Sequence, residues 1–91
     1  MSFGSTSLAT RTSMPVRRRI AAYFVGGVEE IPGLVTLLAH GGRVVHELSV
    51  DIRDGVRESS MTCAVLLPAD EIEPLLTGLR GLPAVVSAEL T

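Results

Sequence analysis

Few side chains in this sequence are of the kinds that do chemistry, and their placement decides what they can do. Cys63 is the single cysteine and sits in the middle of a strand pattern, Ser59–Leu67, on its core side. A nucleophilic thiol needs solvent and a neighbouring cation or base. A thiol inside such a run reads as a small packing group. His40 and His46 are six residues apart, one at the end of a helical pattern and one in a strand pattern. That spacing matches no regular metal-binding pair, and an imidazolium at His40 complements the negative end of a helix. Glu29 and Glu30, and Asp70, Glu71 and Glu73, are grouped carboxylates of the type used in acid–base catalysis. Both groups open helical patterns, where acids ordinarily complement the helix dipole. No Ser-His-Asp order, phosphate-binding loop or dinucleotide fingerprint is present. The expectation is a chain without a catalytic constellation, a metal or a cofactor.

Gly26-Gly27 stands apart from these groups. It joins a strand pattern to a helix pattern, which leaves backbone N–H groups exposed at a helix start, suited to a carboxylate or phosphate. The competing reading is a sharp turn that needs glycine for its backbone angles. The two are evenly matched at this level.

The elements that must position these residues fit within one domain, since 91 residues leave no room for a second core. Apolar residues are 46% and charged ones 20%, so most of the chain should fold. No apolar run approaches the ~20 residues that span a bilayer. Aromatics are only Phe3, Tyr23 and Phe24, which argues against base-stacking nucleic-acid modules. One cysteine builds neither a disulfide framework nor a zinc site, so a reducing cytoplasm is the natural setting. Residues 1–19 hold four arginines and no acid, while residues 20–91 hold four arginines and ten acids, so +4 and −6 sum to the formal −2. An acidic body does not suit a phosphate backbone. Residues 1–19 read as a disordered, basic, Ser/Thr-rich leader, a composition that transit peptides share. The folded domain is expected over 20–91.

An internal repeat organises that body. Shifted by 41 residues, Glu30, Ile31, Leu34, Thr36, Leu38, Val44 and Val45 fall on Glu71, Ile72, Leu75, Thr77, Leu79, Val85 and Val86, seven identities in the 18 positions from Glu29 to His46. Each half reads as strand, amphipathic helix, Gly or Pro stop, strand. The predicted strands are Ile20–Val25, Val44–Ile52, Ser59–Leu67 and Ala84–Leu90. The predicted helices run from about Glu29 to His40 and onward from Asp70, with Asp70 as cap and Glu73 as its capping-box partner. Pro32 and Pro74 leave both helix starts uncertain. Asp54-Gly55 supplies a tight hairpin reversal. The fold class is α+β, a ferredoxin-like βαββαβ arrangement with a four-stranded antiparallel sheet and two helices on one face.

The repeat pairs Ala22 with Cys63 and Phe24 with Val65, which places these under the helices. The opposite face then carries Ala21, Tyr23, Val25, Thr62, Ala64 and Leu66. An uncovered face should be polar, and a body this small buries only about 60% of its unfolded surface. The expectation is a homodimer or larger assembly in which this face or a strand edge meets another subunit.

This chain resembles the ACT domain and, more narrowly, the regulatory small subunit of acetolactate synthase (acetohydroxyacid synthase). The resemblance covers residues 20–90. Its main carrier is Leu37-Leu38-Ala39-His40-Gly41-Gly42-Arg43-Val44-Val45-His46-Glu47-Leu48-Ser49-Val50, similar to that family's passage of a glycine followed by N-I-E-S-L-T-V. Ser60-Met61-Thr62 is like its S-R-M-T strand, and Leu79-Arg80-Gly81-Leu82-Pro83-Ala84-Val85-Val86 is like its L-N-K-L-x-D-V ending. The resemblance implies a non-catalytic subunit that dimerises, activates the catalytic large subunit of a thiamin-diphosphate enzyme and, in many members, binds a branched-chain amino acid. The family's ligand contacts fall on Gly26, Gly27, Val28, Glu29 and Val44. Here the residues depart from the family pattern: a carboxylate at Glu29 repels an amino acid's carboxylate, and the Val44 side chain donates no hydrogen bond. The resemblance therefore implies activation without feedback. Two other functions compete with it. One is a stand-alone amino-acid-sensing homodimer acting on another partner. The other is a small enzyme using His46 or Glu29 as its acid or base.

Overall fold

A computed structural model describes residues 14–53 and 57–91. The expected Asp54-Gly55 reversal and the first thirteen residues of the expected leader lie outside the described residues. The strands are β1 (Pro15–Phe24), β2 (Val44–Asp51), β3 (Ser59–Pro68) and β4 (Val85–Leu90), and the helices are α1 (Ile31–Ala39) and α2 (Ile72–Arg80). They form one antiparallel sheet in the order β2-β3-β1-β4, with both helices against the same face. This is the expected ferredoxin-like βαββαβ arrangement.

The repeat survives folding. A 3-10 turn at Val28–Glu30 leads into α1, and another at Ala69–Glu71 leads into α2. Both turns, both helices and the starts of β2 and β4 are 41 residues apart. The helices begin two residues later than predicted, and the prolines supply the reason. Pro32 and Pro74 have no N–H to give the carbonyls of Val28 and Asp70, so an α-helical ladder cannot start there. The Ile31 and Ile72 N–H groups instead bond three residues back, to Val28 and Ala69. Neither helix has a side-chain cap, so the expected Asp70–Glu73 capping box is not formed.

The core lies between sheet and helices. β1 supplies Ile20, Ala22 and Phe24, and β3 supplies Met61, Cys63, Val65 and Leu67. From above, α1 presses Leu34 and Leu38 onto them, and α2 adds Ile72, Leu75, Leu76 and Leu79. All are at most 8% exposed. These are the positions that the 3.6-residue and two-residue periods single out. β1 starts five residues earlier than predicted. Pro15–Arg19, read as leader, pair with Pro68–Ala64 of β3. Three consecutive arginines hide the strand period from view, but their register partners on β3 include the buried Val65 and Ala64.

β2 contains an irregularity with consequences for the uncovered face. His46 pairs with Ala64, yet the next paired residue is Ser49, opposite Thr62. Three steps on β2 therefore span two on β3, a β-bulge, and Glu47 takes φ +54° there. The extra residue lets Val45 and, past the bulge, Ile52 both pack against the core.

Candidate functional site

The loop from Val25 to Glu30 is built by its two glycines and tied to the rest of the fold at two points. β1 ends at Phe24, and Val25 leaves the sheet with its N–H on the Ala84 carbonyl at 2.9 Å. Gly26 has φ +127°, and a Cβ there would lie 2.9 Å from Glu30 Cγ. Only glycine fits such a backbone comfortably. The Ser59 hydroxyl, fully buried, donates to the Gly26 carbonyl at 3.0 Å and accepts the Arg53 N–H at 2.9 Å. Ser59 therefore clamps this loop to the segment that follows β2.

Two of the loop's N–H groups, those of Gly27 and Glu29, are already taken by the chain's own carboxylate. Gly27 N–H donates to Glu29 Oε2 at 3.1 Å. The Glu29 backbone N–H, followed by that of Gly27, holds its carboxyl below the usual range, although the side chain is exposed. The carboxylate leaves so little room that a Cβ on Gly27 would sit 2.9 Å from Glu29 Oε1. The turn thus requires glycine at Gly26, and the anion seated on the Gly27 and Glu29 N–H groups is the chain's own.

Of the five candidate ligand residues, Gly26, Gly27, Val28 and Glu29 are neighbours in this loop, and Val44 is not. Val44 pairs with Leu66, which pairs with Arg17, whereas the loop follows Phe24. Seven residues of strand, roughly 23 Å, separate those two levels of the sheet.

The uncovered face needs a correction. Ala21, Tyr23, Thr62, Ala64 and Leu66 do share it, but Val25 lies beyond the end of β1. Arg17 and Arg19 share the face too, opposite Leu66 and Ala64. Glu47, turned by the bulge, bridges both, at 3.2 Å from Arg17 and 2.6 Å from Arg19. The bridges span β3 at the level of Ala64, which is wholly buried although it belongs to no core cluster. The face is therefore small and apolar at its centre, with an ionic strap across it. It is not the continuous apolar flank that the composition of β1 and β3 suggested. The Arg19 hydrogen bond and then the Arg17 charge hold the Glu47 carboxyl below its usual range.

The other candidates resolve into packing and surface roles. Cys63 is 1% exposed in the core, and burial pushes its thiol up from the ordinary value. His40 is exposed just after α1, and His46 is exposed on the edge strand. Sequence reasoning missed Ser59, Glu47 and Arg43. Arg43 is only 13% exposed in its side chain and joins Glu71 Oε1, at 3.3 Å, to the Leu37 carbonyl, at 3.0 Å. A guanidinium directly after Gly41-Gly42 was the one visible signal, since a helix C-terminus accepts such a donor.

Comparison with known proteins bears on the fold. No family profile matches the chain, and no curated protein matches it. Among solved structures, it is similar to the solution structure of the ACT domain from GTP pyrophosphokinase of Chlorobium tepidum. The TM-score is 0.63 at 14% identity, over 85% of this chain and 86% of that one. Strand order, helix placement and this likeness together give the chain the ferredoxin-like fold of an ACT domain.

Proposed function

We propose that this chain is a non-catalytic regulatory module of the ACT type that works as a homodimer and activates a larger enzyme. The observation that carries the proposal is the β2 edge. No residue of that strand is buried, and Val44, Leu48 and Val50 are exposed large aliphatics on it. An open strand edge with apolar side chains is a template for pairing. Antiparallel pairing of two β2 edges would carry Val44 of one copy to the sheet end that bears the partner's Gly26–Glu29 loop. The candidate ligand residues, separated within one copy, would then be reunited. The partner enzyme that the sequence resemblance favours is the catalytic subunit of an acetolactate-synthase-like thiamin-diphosphate enzyme. With Glu29 on the loop N–H groups, the module would activate that enzyme without amino-acid feedback at this loop.

Two measurements test this reading. Light scattering on the purified chain should give the mass of a dimer, and Val50→Lys should shift it toward monomer. Co-expression with an acetolactate-synthase-like enzyme encoded beside it should give co-purification and a higher rate. A monomer at all concentrations, or an enzyme with neither bound chain nor altered rate, overturns the proposal. A second reading, a stand-alone amino-acid-sensing homodimer, draws its support from the likeness to an ACT domain.

A further inference from the structure

β4 is the edge of the sheet opposite β2, and it too presents large aliphatics: Val86 is 54% exposed and Leu90 39%. Its bonding pattern shows which backbone groups face outward. Thr91 N–H donates to the Arg19 carbonyl, next to the Ile20–Leu90 pair, so odd-numbered residues at this end of the strand exchange bonds with β1. Ala88 and Leu90 therefore turn their N–H and carbonyl groups away from the sheet. By composition this is a second strand edge open to pairing.

One side chain closes it. Arg80, the last residue of α2, donates to the outward Ala88 carbonyl from Nε at 3.0 Å and from Nη2 at 2.8 Å. The guanidinium is not engaged in capping its own helix, whose last turn is closed by the Gly81 and Leu82 N–H groups. No carboxylate bridges it among the described residues. The β2 edge has no such guard. A shift of 41 residues sets Ala39 where α2 has Arg80, and an alanine side chain reaches no edge carbonyl. Each edge strand carries one bulge, so bulges do not distinguish the two.

We propose that the β4 edge is a second self-association surface, held shut by Arg80, and that its occupant when freed is the β4 edge of another copy of this chain. Antiparallel pairing centred on Ala88 gives a two-fold contact in which Val86 of each copy faces Leu90 of the other, and Ser87 faces Glu89, with no like charges opposed. That register needs the carbonyl that Arg80 holds, and it brings two guanidiniums to one spot. Arg80 thus blocks the edge twice, by filling its central acceptor and by charge repulsion. Association is then confined to the β2 edge and stops at the dimer instead of running on along the sheet. Only this last consequence rests on the proposed homodimer; the guard itself does not.

The test is sedimentation velocity of the full chain over a range of concentrations, for wild type, Arg80→Met, and Arg80→Met combined with Val86→Lys. Methionine keeps an aliphatic stem and removes both the donors and the charge. Arg80→Met should associate one step beyond wild type, to a mass at least about twice as large at high concentration, because a two-fold contact doubles whatever it joins. Val86→Lys should return that mass to the wild-type value. Should Arg80→Met not fold, as judged by far-UV circular dichroism, Arg80→Ala carries the same comparison. Equal mass for the folded Arg80 variant and wild type at every concentration overturns the inference, and so does growth that Val86→Lys leaves unchanged. A monomeric wild type would sink the homodimer reading and leave this one standing, since Arg80→Met should then form a dimer.

Discussion

Ser59→Ala isolates the contact that holds the Gly26 loop to the rest of the fold. The hydroxyl is fully buried and serves two partners, donating to the Gly26 carbonyl at 3.0 Å and accepting from the Arg53 N–H at 2.9 Å. Its removal costs both bonds without opening a large cavity, since only one oxygen is lost. A net hydrogen bond is worth about 0.5–1.5 kcal/mol, and a buried group left unsatisfied costs about 1–3 kcal/mol. Arg53 is exposed and its N–H can turn to water. The Gly26 carbonyl is the group left without a partner. The expected loss is therefore about 1–3 kcal/mol, a substantial part of the ~5–15 kcal/mol of an ordinary domain. For a chain of this size that corresponds to a fall in Tm of roughly 5–20 °C, at about 4–8 °C per kcal/mol. Urea titration at several protein concentrations is the assay, because self-association shifts apparent stability. Hydrogen exchange should locate the loss, with faster exchange at Gly26–Glu30 and Arg53 and little change in α2. A variant within about 0.5 kcal/mol of wild type at every concentration would refute the clamp. So would exchange that rises evenly across the sheet.

Three further outcomes follow from the same geometry. Gly26→Ala should destabilise by about 1–3 kcal/mol, because φ +127° is strained for any side chain and a Cβ would lie only 2.9 Å from Glu30 Cγ; denaturant midpoints measure it. Glu29 and Glu47 have folded pKa values depressed below the ordinary 4.5. Their stabilisation is thus full above about pH 4.5 and is lost as pH falls through the lower folded values, and Glu47→Gln should flatten that acid limb in Tm measured against pH. Cys63, with its thiol pushed above the ordinary 9.0 by burial, should ignore a thiol reagent in the native chain and react fully in denaturant. The same shift makes stability fall as pH rises past about 9, since only the unfolded thiol ionises there.

How far the sequence foretells this protein depends on the range of the contact in question. The 41-residue repeat announced both helices, all four strands and their order in the chain, because each half must bury one helix stripe and one strand face. The residues under the helices, from Phe24 and Val65 to Leu34 and Leu79, were readable for the same reason: periods of 3.6 and 2 report which side of an element is dry. Gly26-Gly27 was visible as a turn, since the need for glycine at positive φ is local. Even the bulge left a trace. The apolar phase of β2 shifts between Val45 and Leu48, although nothing in the strand itself says that Glu47 swings across to two arginines.

What folding alone decided is which ends and faces meet. Periodicity describes each element against its own axis and carries no information on the register between elements far apart in the chain. The sheet register is what sends Val44 to the opposite end from the Gly26 loop, lays Arg17, Arg19 and Glu47 across Ala64, and lets Ser59 hold Gly26 from 33 residues away. Arg43 and Glu71, 28 residues apart, become a pair only because the end of α1 and the turn before α2 are stacked at one edge of the same sheet. Local propensities drew the parts, and long-range packing, with its loop-closure cost met by the buried core, set the distances between them.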